Sequence, residues 1–409
     1  MDFRLSEEQS DLVGVIKDFG KREVTEKFVR EIMGRPALDR VPYAREQGFM
    51  RKLLDIGLKT LVVPEEYGGG GADLLTQCVA TEAIAQYASV AAAFLQSSWK
   101  LCGDLAAFGT EQQKEWIFST LASDPGFLMG SACTEPGHGV DPRLANDAPG
   151  SGLATFAFRD GDEYVINGEK CFIGSVTTNL LFVWLRTDKR GPLSRSMSCI
   201  MVPTTTEGYS VQRFNEFMTE GLRPNGDPLF DDVRVPVANL LGEENKGFLI
   251  WEGRSVYNLL WPASVVGEAQ KIYELTKAEA KRRVQGGKPI YEHSNVGMKL
   301  AEMHSMIEDL RLKVYRTAWE VDEAAKTGKV VFDTLGVNLC AMAAHDVQTG
   351  TAARAAEIWG GRGALKDLPI EGYIRSAWGH LHEFGTPDIC RIQSWLRLDG
   401  YEPLDSLAG

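Results

Sequence analysis

Two hydrophobic periods alternate along the chain, and their order predicts helices, then strands, then helices again. Near the N-terminus, Ser6 and Gln9 have the spacing of a capping box, and Leu12, Val15, Ile16 and Phe19 follow at helical intervals. Further helices are expected over residues 43–56, 73–87, 89–108 and 110–121, with Gly68–Gly71 as a flexible break. The middle third changes period. Residues 153–158 and 163–166 flank Asp160-Gly161-Asp162, a hairpin pattern. Residues 180–185 and 197–202 read as apolar strands, and 204–208 as another turn. Short strands at this spacing predict a small β-barrel or sandwich.

From Gly247 the helical period returns. Leu300, Met303, Ile307, Leu310 and Val314 step by three and four, giving one apolar stripe of the kind that packs a bundle. Gly360-Gly361, after Ala355–Trp359, is expected to end a helix in left-handed geometry. The fold class is therefore α+β, in three parts: an N-terminal all-α domain (1–125), a middle β-domain (126–240) and a C-terminal helical bundle (241–409).

Composition narrows the function classes. With 409 residues the chain can bury a sizeable core, and 44% hydrophobic with 24% charged residues is ordinary for a globular protein. A formal charge of −12 argues against a nucleic-acid partner, whose phosphates it would repel. No apolar run reaches membrane-spanning length and no signal-peptide core opens the chain, so no membrane association and a cytoplasmic location are expected. The seven cysteines form no Cys-x-x-Cys pair and the six histidines no His-x-x-x-His spacing, so neither a disulfide framework nor a metal site is expected.

One stretch is richest in chemistry. Residues 131–141 read Ser-Ala-Cys-Thr-Glu-Pro-Gly-His-Gly-Val-Asp, where glycines allow close backbone approach to a flat or anionic ligand and Thr134 offers a hydroxyl. Taken alone, a tight turn with no ligand explains it as well.

It does not stand alone. The stretch resembles the flavin-binding signature of the acyl-CoA dehydrogenases. Other segments match that family in the required order: Val63-Pro64-Glu65-Glu66-Tyr67-Gly68-Gly69, Asn167-Gly168-Glu169-Lys170-Cys171-Phe172-Ile173 and Phe230-Asp231-Asp232-Val233-Arg234-Val235-Pro236. Arg283, Trp359-Gly360-Gly361-Arg362-Gly363, Arg375 and Gly385-Thr386 continue the series. The resemblance spans nearly the whole chain. It implies a helical domain, a β-barrel domain and a C-terminal four-helix bundle, an FAD cofactor and an acyl-CoA substrate. It also implies a homotetramer, or a heteromer with a related chain, and an electron-transfer flavoprotein or similar redox partner.

By the same resemblance, Ala132, Cys133 and Thr134 lie at the flavin ring, with Thr134 bonding its edge. Phe172 lies against the ring where the family usually has Trp, beside Ile173 and Gly174. Arg283 contacts the diphosphate, Glu357, Trp359, Gly360 and Gly361 approach the FAD of a neighbouring subunit, and Thr386 and Asp388 lie near the adenosine half. Gln96, Val140, Asn258 and Gly385 fall on the substrate side. Phe94, Gln96, Trp99, Tyr257 and Trp261 hint at aromatic walls that would suit a cyclic acyl group. For Phe172 and Trp359, plain core packing is the competing explanation.

Several positions depart from the family. Gly174 stands where a threonine usually bonds flavin N5, and Val140 replaces a serine. The family's usual catalytic glutamate aligns with Phe384, which cannot accept a proton, although its main-chain N–H can still polarise a thioester carbonyl. Glu383 is the nearest carboxylate in sequence. The alternative glutamate position on a bundle helix falls on Tyr257 and Asn258, so Glu383, Phe384 and Tyr257 are the catalytic candidates that the resemblance leaves. Crotonobetainyl-CoA reductase-like members similarly lack the glutamate and carry a Lys-Cys-Phe-Ile strand like residues 170–173. Three readings stay open: an acyl-CoA dehydrogenase or enoyl-CoA reductase acting on an unusual acyl group, an acyl-CoA lyase on the same fold, and a non-catalytic partner subunit.

Overall fold

The first helix, α1 (Glu7–Glu23), starts where the capping box predicts. The Ser6 side chain accepts from the Gln9 amide and the Gln9 side chain from the Ser6 amide. The computed structural model describes residues 4–139, 141–144, 147–148, 150–174, 176–218, 224–382 and 385–400, with backbone only at 93, 94, 144, 254 and 382. Ile16 and Phe19 of α1 are buried, whereas Val15 faces solvent. Next come α2 (Glu26–Met33), α3 (Ala37–Glu46), α4 (Phe49–Asp55), α5 (Leu74–Tyr87), α6 (Ser89–Phe108) and α7 (Glu111–Ser123). The single helix expected over 43–56 is in fact two, because Gly48 takes a left-handed conformation (φ +67°) and breaks the ladder. The loop at 68–71 is tightly held, not flexible. The amides of Gly69, Gly70, Gly71 and Ala72 bond to carbonyls of residues 60–64, and a Cβ on Gly69 would lie 2.1 Å from the Val63 carbonyl oxygen.

The middle of the chain holds β1 (Met129–Ala132), a short α8 (Asp141–Leu144), β2 (Phe156–Asp160), β3 (Glu163–Glu169), β4 (Ile173–Gly174), β5 (Leu180–Arg186), β6 (Met197–Pro203), β7 (Tyr209–Asn215), β8 (Asn225–Pro236) and β9 (Leu240–Leu241). They form one mixed sheet in the order β4-β8-β3-β2-β5-β6-β9, with β1 parallel to β5 and β7 paired to β8. The predicted hairpin turns at Gly161 (φ +63°) between β2 and β3. Strand β5 is buried on both faces, and its period of two divides it between cores. Leu180, Phe182 and Trp184 pack with α6 and α7 side chains such as Leu105 and Phe118, while Leu181, Val183 and Leu185 pack inside the β-domain with Ile166 and Val233.

The helical part resumes with α9 (Gly247–Arg254), a 3₁₀ turn at Ser255–Leu259 and α10 (Leu260–Arg282). A small hairpin follows, β10 (Val284–Gln285) and β11 (Lys288–Pro289), then α11 (Ser294–Ala325), α12 (Leu335–Trp359), α13 (Pro369–Gly379) and α14 (Pro387–Leu398). All five residues of the α11 stripe are buried. N- and C-terminal helices share one core: Phe19, Phe49 and Ile84 belong to the same cluster as Val266, Leu310 and Ala344. Gly267 lets α10 cross α5 closely, since a Cβ there would lie 2.1 Å from the Glu82 carbonyl oxygen. The Glu82 carboxylate accepts from Arg311 (2.9 Å) and Tyr315 (2.8 Å), tying α5 to α11. The layout is helical, then β, then helical, as the sequence implies.

Candidate functional site

Strand β1 delivers residues 133–139 to the end of the sheet. The amides and carbonyls of Glu135 and His138 bond reciprocally and close the turn over Pro136-Gly137. The Cys171 amide donates to the Thr134 carbonyl (2.9 Å), which brings together the two segments singled out in the sequence. Beneath them lies an ion pair. Lys170, 1% exposed, donates to a Glu135 carboxylate oxygen at 2.7 Å and to the Cys133 carbonyl at 3.0 Å. The Glu135 carboxylate also accepts from the amides of Ala154 (2.6 Å) and Thr155 (3.0 Å). Those amides therefore bond a side chain, which is why β2 begins at Phe156 and not at 153. Burial opposes ionisation of Glu135, but the Lys170 charge and the donated hydrogen bonds outweigh it and hold the carboxyl below its ordinary range. Sequence reasoning missed this pair as a unit; the available signal was an acid in one motif and a lysine in the other.

Next to this anchor, Phe172 adopts φ +56°, an uncommon conformation for a non-glycine residue. Its amide donates to Asp227 (2.9 Å), its carbonyl accepts from Asn225 (2.9 Å), and its ring is 62% exposed. Core packing is therefore excluded for Phe172. Ile173 is buried and Gly174 half-buried, paired with Gly226 and Asn225 of β8. Ala132 is fully buried, while Cys133 and Thr134 are half-buried at the same edge.

A second group forms where α10 ends. Arg283 caps α10, and its Nη1 donates to the Trp359 carbonyl at 3.0 Å. Trp359 is buried, with its indole N–H on Thr276, so core packing accounts for its side chain. Gly360 has φ +57° but ψ −143°, so α12 ends with a positive φ yet outside the left-handed helical region, and a 3₁₀ turn over Gly360–Ala364 follows. Gly361 is exposed, and the exposed Glu357 carboxylate pairs with Lys299 at 3.0 Å.

At the start of α14, Thr386 is the N-cap, accepting from the Ile389 amide, and Asp388 pairs with Arg391 at 3.0 Å. Gly385 (φ +102°) lies against Arg143 of α8, whose Nη1 would be 3.6 Å from a Cβ at that position. The short helix α8, which continues from the first signature, thus reaches the Gly385 loop. Glu383, Phe384 and Val140 lie outside the described residues.

Tyr257 sits on the 3₁₀ turn Ser255–Leu259 with its ring against Gly103 of α6. Burial, reinforced by the nearby acids Asp104 and Asp322, pushes its phenol pKa up and keeps the hydroxyl protonated. It lines a partly open cavity of about 380 Å³ between residues 62–72, α5 and α6. Trp99 also lines it. Gln96 and Trp261, both buried, do not; Trp261 packs on His345 with ring centroids 4.6 Å apart. The expected aromatic wall is thus reduced to two rings among the described side chains. The Asn258 side-chain oxygen is buried with no hydrogen-bond partner among the described residues.

Comparisons with known proteins agree along the chain. Family models described as acyl-CoA dehydrogenase N-terminal, middle and C-terminal domains match residues 6–124, 130–233 and 259–394. The chain is 32% identical over 405 residues to a probable acyl-CoA dehydrogenase of Bacillus subtilis, covering 96% of this chain and 98% of that one. It is 30% identical over 396 residues to cyclohex-1-ene-1-carbonyl-CoA dehydrogenase of Syntrophus aciditrophicus, covering 95% and 89%. Among solved structures, butyryl-CoA dehydrogenase of Megasphaera elsdenii superposes with a TM-score of 0.84 at 27% identity, covering 97% and 100%.

Proposed function

Because the chain belongs to the acyl-CoA dehydrogenase family, we propose that it is an FAD-dependent oxidoreductase of acyl-CoA thioesters, working across the α,β bond in either direction on an acyl group outside the common straight chains. The observation that carries this reading is the Phe172 junction. A bulky ring held at positive φ and left 62% exposed is strained and solvated unless something flat covers it. The buried Lys170–Glu135 pair fixes the backbone that presents it, and the Cys171 amide ties that backbone to the Thr134 carbonyl.

The residues present fit a flavin. Phe172 offers a largely exposed ring, with the Phe217 ring edge-on at 6.4 Å, and Thr134 is half-buried with a hydroxyl. Arg283 offers a guanidinium fork of which only Nη1 has a protein partner among the described residues, a geometry suited to diphosphate. FAD, when bound, exchanges hydride with the β-carbon of the acyl group.

The other work belongs to the chain. In this reading the main-chain N–H of Phe384 holds the thioester carbonyl oxygen, and a donor of that kind contributes about 3–4 kcal/mol to the transition state. Glu383 is the carboxylate assigned to the α-proton, in the absence of the family's glutamate. Thr386 and Asp388 attend the adenosine half. Residues 357–361 serve the FAD of a neighbouring subunit, which requires an oligomer, in this reading the family's homotetramer, and an electron-transferring flavoprotein or similar carrier exchanges electrons with the assembly.

Anaerobic product analysis tests the reading. An oxidoreductase converts acyl-CoA to enoyl-CoA only in step with an added electron acceptor, or enoyl-CoA to acyl-CoA with a donor. Multiple turnovers without either would instead establish a lyase.

A further inference from the structure

The cavity beside Tyr257 is lined by two glutamates and a buried amide as well as the phenol. Gln77 of α5 is 5% exposed, and its Nε2 donates to the Ala72 carbonyl at 2.8 Å. A carbonyl only accepts, so that bond fixes the amide with its NH₂ toward Ala72 and its oxygen on the other side. That oxygen is buried and has no hydrogen-bond partner among the described residues. A buried acceptor without a donor is costly, and native proteins rarely keep one unless something supplies the hydrogen. Glu65 and Glu66 are exposed and line the same cavity, whereas none of its lining residues is Lys or Arg. A volume of about 380 Å³ suits a short organic chain. Tyr257, whose phenol stays protonated, forms part of the wall at the position where the sequence aligns with the family's alternative base.

We propose that this cavity receives the far end of the acyl group and selects a chain that ends in a hydrogen-bond donor, neutral or cationic, with the Gln77 oxygen as acceptor and Glu65 and Glu66 biasing the site against a terminal carboxylate. The proposal rests on the reading of the chain as an acyl-CoA enzyme and names its substrate class. A hydroxyl or ammonium group satisfies the Gln77 oxygen; a methyl group leaves it bare. A carboxylate would bring acceptor against acceptor at Gln77 and negative charge beside two glutamates, with no Lys or Arg among the described wall residues to offset it.

Equilibrium calorimetry on the purified holoprotein, without electron acceptor, tests this with four probes: butyryl-CoA, 4-hydroxybutyryl-CoA, 4-aminobutyryl-CoA and glutaryl-CoA. The hydroxy and amino esters are expected to bind about tenfold more tightly than butyryl-CoA, as one added buried hydrogen bond allows, and glutaryl-CoA most weakly. Gln77→Met is expected to bring the hydroxybutyryl-to-butyryl ratio within about twofold of unity. Equal affinities in the wild type, a preference for glutaryl-CoA, or a ratio unchanged in Gln77→Met would overturn the inference while leaving thioester binding intact. Should Gln77→Met fail to fold, the wild-type series decides alone. Absence of binding by all four esters would overturn the functional reading and this inference with it.

Discussion

At the scale of residues, the candidate site depends on a charged pair hidden under it. Lys170 has three oxygen partners and Glu135 three donors, all within the protein. Removing one partner strands the other charge, so Lys170→Met is expected to cost about 3–5 kcal/mol in chemical denaturation. Because the native Glu135 carboxyl lies below its ordinary range, its contribution is complete above that range and is lost as acid carries the pH down through the native value. Phe172 makes the opposite kind of prediction. Glycine accepts φ +56° freely, so Phe172→Gly is expected to leave stability unchanged or raise it by up to about 1 kcal/mol. If the ring covers the flavin, the same variant will retain less FAD on gel filtration; a variant that is both less stable and undiminished in FAD content would refute the assignment. Little of this was legible beforehand. Glu135 and Lys170 are 35 residues apart, so only tertiary structure pairs them. The exposure of Phe172 follows from a backbone hydrogen bond to Asp227, 55 residues away.

At the scale of elements, periodicity located α1, α5, α6, α7 and α11 and the strands β2, β3, β5 and β6, and two of its errors have local causes. The strand pattern from Leu153 fails because Ala154 and Thr155 donate their amides to a carboxylate, and the helical period through 43–56 ran across a left-handed glycine. A long-range cap was equally invisible. Besides its local N-cap Asp73, α5 has the amides of Leu74 and Leu75 bonded to the Asp322 carboxylate of α11 at 2.9 and 2.8 Å. Burial raises the Asp322 pKa to about 6, against the pull of those two amides. The native state therefore keeps a proton that the unfolded chain has lost between about pH 4 and 6, so stability falls as pH rises through that window and levels off above it. Denaturation of the wild type and Asp322→Asn across pH 4–7 is expected to show this slope only in the wild type. Parallel curves would contradict the role given to Asp322.

At the scale of the whole molecule, helices from both ends of the chain share one core, and the sheet between them carries a second face against α6 and α7. The ordered motifs anticipated this layout, and residues 6–394 match the family almost continuously. What the motifs could not convey is which groups meet across elements: Arg143 against Gly385, Arg283 against Trp359, and Gln77 facing the Tyr257 cavity. The expected homotetramer belongs to this scale. Light scattering on the holoprotein should give the mass of four chains, and a stable monomer that binds FAD fully would remove the role assigned to residues 357–361. The central claim concerns electrons, and the visible spectrum reads them directly. Under anaerobic conditions the FAD-reconstituted protein should be yellow and should lose its flavin absorbance on addition of a saturated acyl-CoA, or, once chemically reduced, regain it on addition of the enoyl-CoA. A protein that stays colourless after reconstitution, or a yellow one whose spectrum no acyl- or enoyl-CoA alters, would contradict the account.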